Sequence, residues 1–204
     1  MIPKTRFVIS SITLTAMLVG FAGATENVFR AGRASDYAHQ SSDQVTIGAK
    51  PFDNEELTTS AFGKKADLLK YGVLPVLVVV ENKRDKALDL RNLEVSLVAS
   101  DGRHVTAVSP EDVPFLATSG KHPTPQVVPI PLPKKKNPLD TPSLIERAFS
   151  AKILPPGDSA SGFFYFEARP ESGDKLYLNG LRDERSGEEI MYFEFAMGPS
   201  KTDQ

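Results

Sequence analysis

Four aromatic residues run consecutively from Phe163 to Phe166, in the order Phe-Phe-Tyr-Phe. Successive side chains of a strand face opposite ways, so this one carries large apolar area on both faces and must be covered on both. The run Val73–Glu81 (VLPVLVVVE) has the same two-faced character and reads as a core strand. Pro75 cannot donate to a ladder, which places it at a strand start, a bulge or an edge. Other segments alternate. Leu93, Val95, Leu97 and Ala99 are interleaved with Asn92, Glu94 and Ser96. Met191, Phe193, Phe195 and Met197 are interleaved with Tyr192, Glu194 and Ala196. These are half-buried strands with one wet face. Gln44–Lys50 and Lys175–Leu181 add two more, the latter with Leu176 and Leu178 opposite Tyr177.

The punctuation between these runs is equally legible. Asp101-Gly102 predicts a type I′ hairpin turn with Val105 and Val108 on the return strand. Asn82–Lys86 and Arg182–Glu189 read as charged turns, and Pro155-Pro156-Gly157-Asp158 as the tight turn feeding the aromatic strand. Asp53–Leu69 predicts one or two short helical turns, capped by Asp53 or Asn54. A second helix starts with Thr141 at the N-cap and Pro142 at the first helical position. Leu144, Ile145, Ala148 and Phe149 follow at helical spacing, and Pro155-Pro156 ends it. Six or seven short strands without βαβ spacing predict a mainly β, antiparallel sandwich, with one or two short helices, as a single domain over 44–199.

Two stretches depart from that rhythm. Residues 25–43 are polar and lack a period, which predicts a flexible N-terminal segment. Residues 110–142 form a Pro-rich insertion: seven of the 16 prolines lie between Pro123 and Pro142, with Lys134, Lys135 and Lys136 among them. That composition predicts a long loop of polyproline II character. Val127, Val128, Ile130 and Leu132 could form an edge strand or a packed strap, and the interleaved prolines forbid a central strand.

The N-terminus changes the picture of compartment. Lys4 and Arg6 precede a mostly apolar Phe7–Phe21, and Ala22-Gly23-Ala24 supplies an A-x-A site. This predicts a secretory signal peptide over 1–24, cleaved after Ala24; an uncleaved anchor is the alternative. No later run approaches membrane-spanning length, so the mature chain is expected to be soluble. Cleavage would leave 22 Lys+Arg against 26 Asp+Glu, a net charge of −4. Such a chain has no general electrostatic attraction for nucleic acid. The chain has no Cys, hence neither disulfides nor a lipidated cleavage site, and no Asn-x-Ser/Thr acceptor. A periplasmic or secreted bacterial protein, stabilised by a hydrophobic core, fits these features.

The segments VLPVLVVVENKRDKALDLRNLEVSLVASDGRHV (73–105) and LPPGDSASGFFYFEAR (154–169) resemble the immunoglobulin-like β-sandwich domains of uncharacterised secreted bacterial proteins. The first matches a strand ending in Asn, a charged turn, a second strand and an Asp-Gly hairpin. The second matches the Pro-Gly turn that leads into a buried aromatic strand. Together they cover 49 residues, about a quarter of the chain. The resemblance implies an immunoglobulin-like sandwich used for association or display, and brings no catalytic residues with it.

Candidate chemistry is sparse. His39, His104 and His122 have no second His or Cys at ligand spacing, and no metal site is expected. Without Cys there is no thiol chemistry. Ser159 and Ser161, beside Gly157 and Gly162, suit turn and strand-entry hydrogen bonding. Asp183, Glu184, Glu188 and Glu189 could offer oxygens to Ca²⁺, but the interleaved Arg182 and Arg185 favour a solvated turn. No cofactor signature and no catalytic residue is assigned. Lys134, Lys135 and Lys136, flanked by prolines, are the candidate partner-binding residues: a stiff segment lowers the ordering cost and three ammonium groups attract an anionic partner. The expected function is a non-catalytic module with a protein partner in the cell envelope. A protease-inhibitor-like or chaperone-like module presenting residues 119–140, and an enzyme with a dispersed acidic or metal site, are the alternatives.

Overall fold

The computed structural model describes residues 29–64, 66–116, 137, 139, 141–169, 171–190 and 192–197. Its strands are β1 (Ala38–Ser42), β2 (Val45–Pro51), β3 (Val73–Asn82), β4 (Leu88–Asp89), β5 (Glu94–Val98), β6 (His104–Thr106), β7 (Ile153–Leu154), β8 (Ser159–Glu167), β9 (Lys175–Asn179), β10 (Arg182–Asp183) and β11 (Phe193–Ala196). The helices are short: α1 (Glu55–Phe62), α2 (Val113–Leu116) and α3 (Pro142–Glu146). The strands form two four-stranded sheets, ordered β1-β2-β3-β8 and β11-β9-β5-β6, and a small third sheet, β10-β4-β7. Every strand pairing is antiparallel. The fold is mainly β, as the alternation predicts.

The two-faced strands explain the layering. Leu74, Val76, Val78 and Val80 of β3 join Val45 and Ile47 of β2, Leu97 of β5, Leu176 and Leu178 of β9 and Phe193 and Phe195 of β11 in one core between the large sheets. Val73, Leu77 and Val79 point the other way, into a second core with Phe52, Phe62, Leu68, Val113 and Leu144. The β2-β3-β8 part of this sheet is therefore covered on both faces, by the partner sheet on one side and by the helices and loops on the other. Strand β8 serves both cores: Phe166 lies in the inner one, Phe163 and Tyr165 in the outer one. Three buried rings and one half-buried ring come together here: the centroids of buried Phe52 and Phe62 lie 4.9 and 4.8 Å from that of Phe163, and half-buried Phe29 lies at 5.4 Å.

Local chemistry sets the element ends. Asn54 caps α1, its side chain accepting from the N–H of Leu57 at 2.9 Å. Pro75 sits third in β3, yet its carbonyl accepts from Phe52 N–H at 2.8 Å just past the end of β2. N and O of one strand residue point the same way, so the missing N–H falls where that ladder is already ending. The outer edge of β8 is covered by two segments. Val108 donates to the Tyr165 carbonyl, and Arg147–Phe149 pairs alongside Phe163 through bonds of 2.8 and 3.1 Å.

Three expectations change. Residues 38–42, within the segment read as flexible, form β1 and pair in register with β2. Four of the five are exposed, and an edge strand wet on both faces shows no alternation. The 100–102 hairpin is a three-residue loop: Gly102 N–H donates to the Ala99 carbonyl, and only Gly102 has positive φ, at 85°. This is a turn closed by a left-handed Gly rather than a type I′ pair. Val108 leaves that hairpin and bridges to Tyr165. Finally, α3 stops at Glu146 instead of running to Pro155, because residues 147–149 are drawn into pairing with β8.

Candidate functional site

Lys134, Lys135 and Lys136 lie outside the described residues, as do His122 and most of the Pro-rich insertion. His39 is exposed on β1, its Nδ1 3.0 Å from the Tyr37 carbonyl. His104 is exposed on β6. Ser159 and Ser161 are strand residues of β8, opposite Glu81 and Val79. Among the described residues no group of three or more His, Cys, Asp or Glu could hold a metal ion.

The acidic turn differs from a solvated one at a single residue. Asp183 is buried. One carboxylate oxygen accepts from the backbone N–H groups of Arg185 and Ser186, at 3.1 and 2.9 Å. The other accepts from Arg84 at 3.0 Å, and the same Arg84 nitrogen reaches Asp43 at 3.1 Å. Hydrogen bonds from the Ser186 and Arg185 amides and the charge of Lys86 hold the Asp183 carboxyl below its usual range. Its oxygens are thus committed to the protein, and the carboxylate closes the turn.

The exposed surface that does carry organised chemistry is the outer face of β9 and β11. Because Leu176 and Leu178 point inward, Tyr177 must point outward. It lies directly opposite Glu194, and Lys175 lies opposite Ala196. Lys175 reaches Glu194 at 2.7 Å. Tyr177 donates to the same carboxylate, which pushes its phenol above the ordinary value; bonding from Lys175 and Tyr177 lowers Glu194 in turn. This triad fixes the Tyr177 ring. Tyr192, 60% exposed, stands beside it with centroids 6.5 Å apart and planes tilted by 34°. The rings are splayed, not stacked, and with Asn179, Glu189 and Ile190 they line an open surface trough of about 490 Å³.

The arrangement offers two aromatic faces, an amide and a carboxylate on one surface. Phe115, Ile145, Ile153 and Tyr192 are the large apolar side chains left exposed among the described residues, and Tyr192 has Tyr177 beside it. Sequence reasoning had both tyrosines on wet faces but could not pair them, since the register joining β9 to β11 is non-local.

No family model matches the chain, and no match was found among the curated proteins. Solved structures are similar in fold to a limited degree. One is ycdA of Bacillus subtilis, provisionally described as a lipoprotein: 14% identity, TM-score 0.41, covering 81% of this chain. This chain spans 40% of that one's length. Another is the secreted protein MPT63 of Mycobacterium tuberculosis, with 14% identity, TM-score 0.34, and coverage of 80% of this chain and 95% of that one. A third is a DUF4426 family protein of Pseudomonas aeruginosa, at 13% identity and TM-score 0.32, with coverage of 80% and 95%. Among the described residues no helix is long and apolar enough to cross a membrane.

Proposed function

We propose that the chain is a non-catalytic, exported β-sandwich of immunoglobulin-like type that acts by protein–protein association in the cell envelope. The observation that carries this reading is the Tyr177–Tyr192 trough. Tyr192 is exposed and Tyr177 half-buried, the latter held against Glu194, which also pairs with Lys175. A fixed aromatic surface loses little rotamer freedom on binding, which is what an association site requires. The leader at 1–24 supports the compartment, and Lys134, Lys135 and Lys136 are proposed as contact residues toward an acidic surface. A photo-crosslinking residue at position 192 of the exported protein tests the reading. Discrete adducts at one or a few masses are expected. Absence of any adduct there, with equal export and folding, would remove the site.

A further inference from the structure

We propose that Arg147 and the cleft around it bind an organic carboxylate, with the carboxylate on the guanidinium and a small apolar body against the rings of Phe29 and Phe163. The cleft lies on the outer side of the β1-β2-β3-β8 sheet, apart from the tyrosine trough on the other large sheet. Arg147 directly follows α3, where residues 147–149 join the edge of β8. Its carbonyl accepts from Phe163 N–H at 2.8 Å, and its own N–H donates to the Ser143 carbonyl at 3.2 Å. Both backbone groups are committed, so the side chain leaves from a fixed point.

What that side chain lacks is a counter-ion. Arg84, Arg91 and Arg103 each hold a carboxylate at 2.6–3.1 Å. The half-buried Arg147 side chain makes no ion pair or hydrogen bond among the described residues. One of its terminal nitrogens is buried and unbonded, and its partner is the face of Phe29, 5.7 Å away at the centroid. Arg84 also has an unbonded buried nitrogen, but its other terminal nitrogen reaches two carboxylates, so its charge is balanced. A half-buried cation gives up hydration that a ring face replaces only in part. An anion arriving in the cleft supplies the missing partner, and a guanidinium fork matches the two oxygens of a carboxylate.

The rest of the cleft selects the kind of acid. Phe29 and Phe163, with centroids 5.4 Å apart, begin an apolar wall that Ala31 and Leu77 extend. Ser161 lies two residues before Phe163 on the same face of β8 and brings a hydroxyl. Exposed Arg30 and Glu146 complete the lining, so two cations stand against one carboxylate. That balance suits a monoanion better than a phosphate dianion. The volume of about 350 Å³ is at the small end of ligand clefts, roughly 300–1,000 Å³, and fits a one-ring or short-chain acid.

Titration of the full mature chain with phenylacetate, followed by NMR amide shifts, tests this. Shifts centred on residues 161–163 that saturate below roughly 10 mM are expected. Phenylacetamide, which keeps the ring and loses the charge, and inorganic phosphate should each bind about tenfold more weakly or worse. Arg147→Gln should weaken phenylacetate about tenfold or more, and Arg147→Lys should recover only part of that, since it restores charge without the fork. Without ligand, Arg147→Gln should leave the urea midpoint equal or higher, because an uncompensated cation has been removed. N-acetylphenylalanine separates two sources of the same group. Tighter binding than phenylacetate assigns the site to a chain end and weaker binding to a free acid, and either supports a carboxylate. No saturation by either acid, equal binding of phenylacetamide or phosphate, or phenylacetate binding unchanged in Arg147→Gln would overturn the proposal. A lower midpoint in Arg147→Gln with unchanged binding would make Arg147 a packing group for Phe29 and overturn it too. Binding that appears only in Glu26→Gln would give the site to the chain's own N-terminal carboxylate, and would overturn the external ligand.

Discussion

The side-chain amide of Asn82 donates to the carbonyl of Leu154, 72 residues away, at 3.0 Å. The same nitrogen lies 2.8 Å from the Lys86 carbonyl and 3.0 Å from that of Pro155, and the side-chain oxygen accepts from Arg84 N–H. The Asn82 backbone adds bonds to Asp158 and Gly157. One buried residue thus ties the exit of β3 to the Pro-Pro-Gly-Asp turn ahead of the aromatic strand. Asn82→Ala would take the donor from the buried Leu154 carbonyl and from the part-buried carbonyls of Lys86 and Pro155. The expected loss is about 3 kcal/mol, seen as a lower urea midpoint with unchanged slope. A loss under about 1 kcal/mol would show that the turn closes without Asn82.

Gly162 of β8 and Gly157 of the preceding turn make an informative pair. A Cβ at Gly162 would lie 2.4 Å from the Phe149 Cα, where residues 147–149 press against the strand edge. A Cβ at Gly157 meets nothing within 4 Å, but φ there is 78°. Gly162→Ala therefore forces backbone apart and should cost about 2–3 kcal/mol. Gly157→Ala meets only left-handed strain, about 1 kcal/mol. Thermal unfolding of both variants should rank them in that order; the reverse ranking would mean that 147–149 detaches cheaply.

How far these relationships can be read from the chain depends on whether they are local. Asn54 as a cap, Pro142 as a helix start and the two-faced runs Val73–Val80 and Phe163–Phe166 follow from adjacent residues, and the structure has them. Strand β1 does not, because an edge strand exposed on both faces has no apolar period to detect. The short α3 was hidden for a different reason. Leu144 to Phe149 keep helical spacing, yet the free edge of β8 claims residues 147–149, a demand made by residues 163–165. The tyrosine trough is hidden in the same way. Tyr177 and Tyr192 are each visible as outward residues, but only the pairing of Glu194 with Tyr177 puts both rings on one surface. Asp183 was misread as solvated because its partner Arg84 is 99 residues distant.

The carboxyl of Asp89 is held at about 2, chiefly by the hydrogen bonds of the Arg91 guanidinium, which grips both oxygens at 2.6–3.1 Å. A group whose folded value lies below its unfolded value of 3.8 adds stability at higher pH. That contribution is complete above about pH 4 and is lost as pH falls through about 2. Arg91→Met should move the Asp89 midpoint up toward 3.8 in a carboxyl-carbon NMR titration. It should also flatten the acid limb of the stability curve. A midpoint that stays near 2 would assign the shift to the Arg91 backbone N–H, which the variant retains.

The free edge of β11 is closed by a side chain. Gln40 of β1 donates to the Glu194 carbonyl at 2.6 Å and accepts from Glu194 N–H at 3.1 Å, reproducing with its amide the paired bonds of a neighbouring strand. It does so from the other large sheet, across the open side of the sandwich. The bonds are solvent-exposed, so Gln40→Ala should cost little in monomer stability, about 1 kcal/mol or less. Its effect should appear in association, because an unpaired strand edge is a template for another strand. Light scattering of concentrated Gln40→Ala is expected to show slow, irreversible growth that Tyr192→Ser does not suppress. Gln40→Glu tests the geometry, since it keeps an acceptor for the Glu194 N–H and loses the donor to the carbonyl. It should give intermediate growth at neutral pH, with its charge opposing close approach of a second edge. Growth equal to that of the unmodified chain in both variants would mean that β11 is protected by its shortness alone.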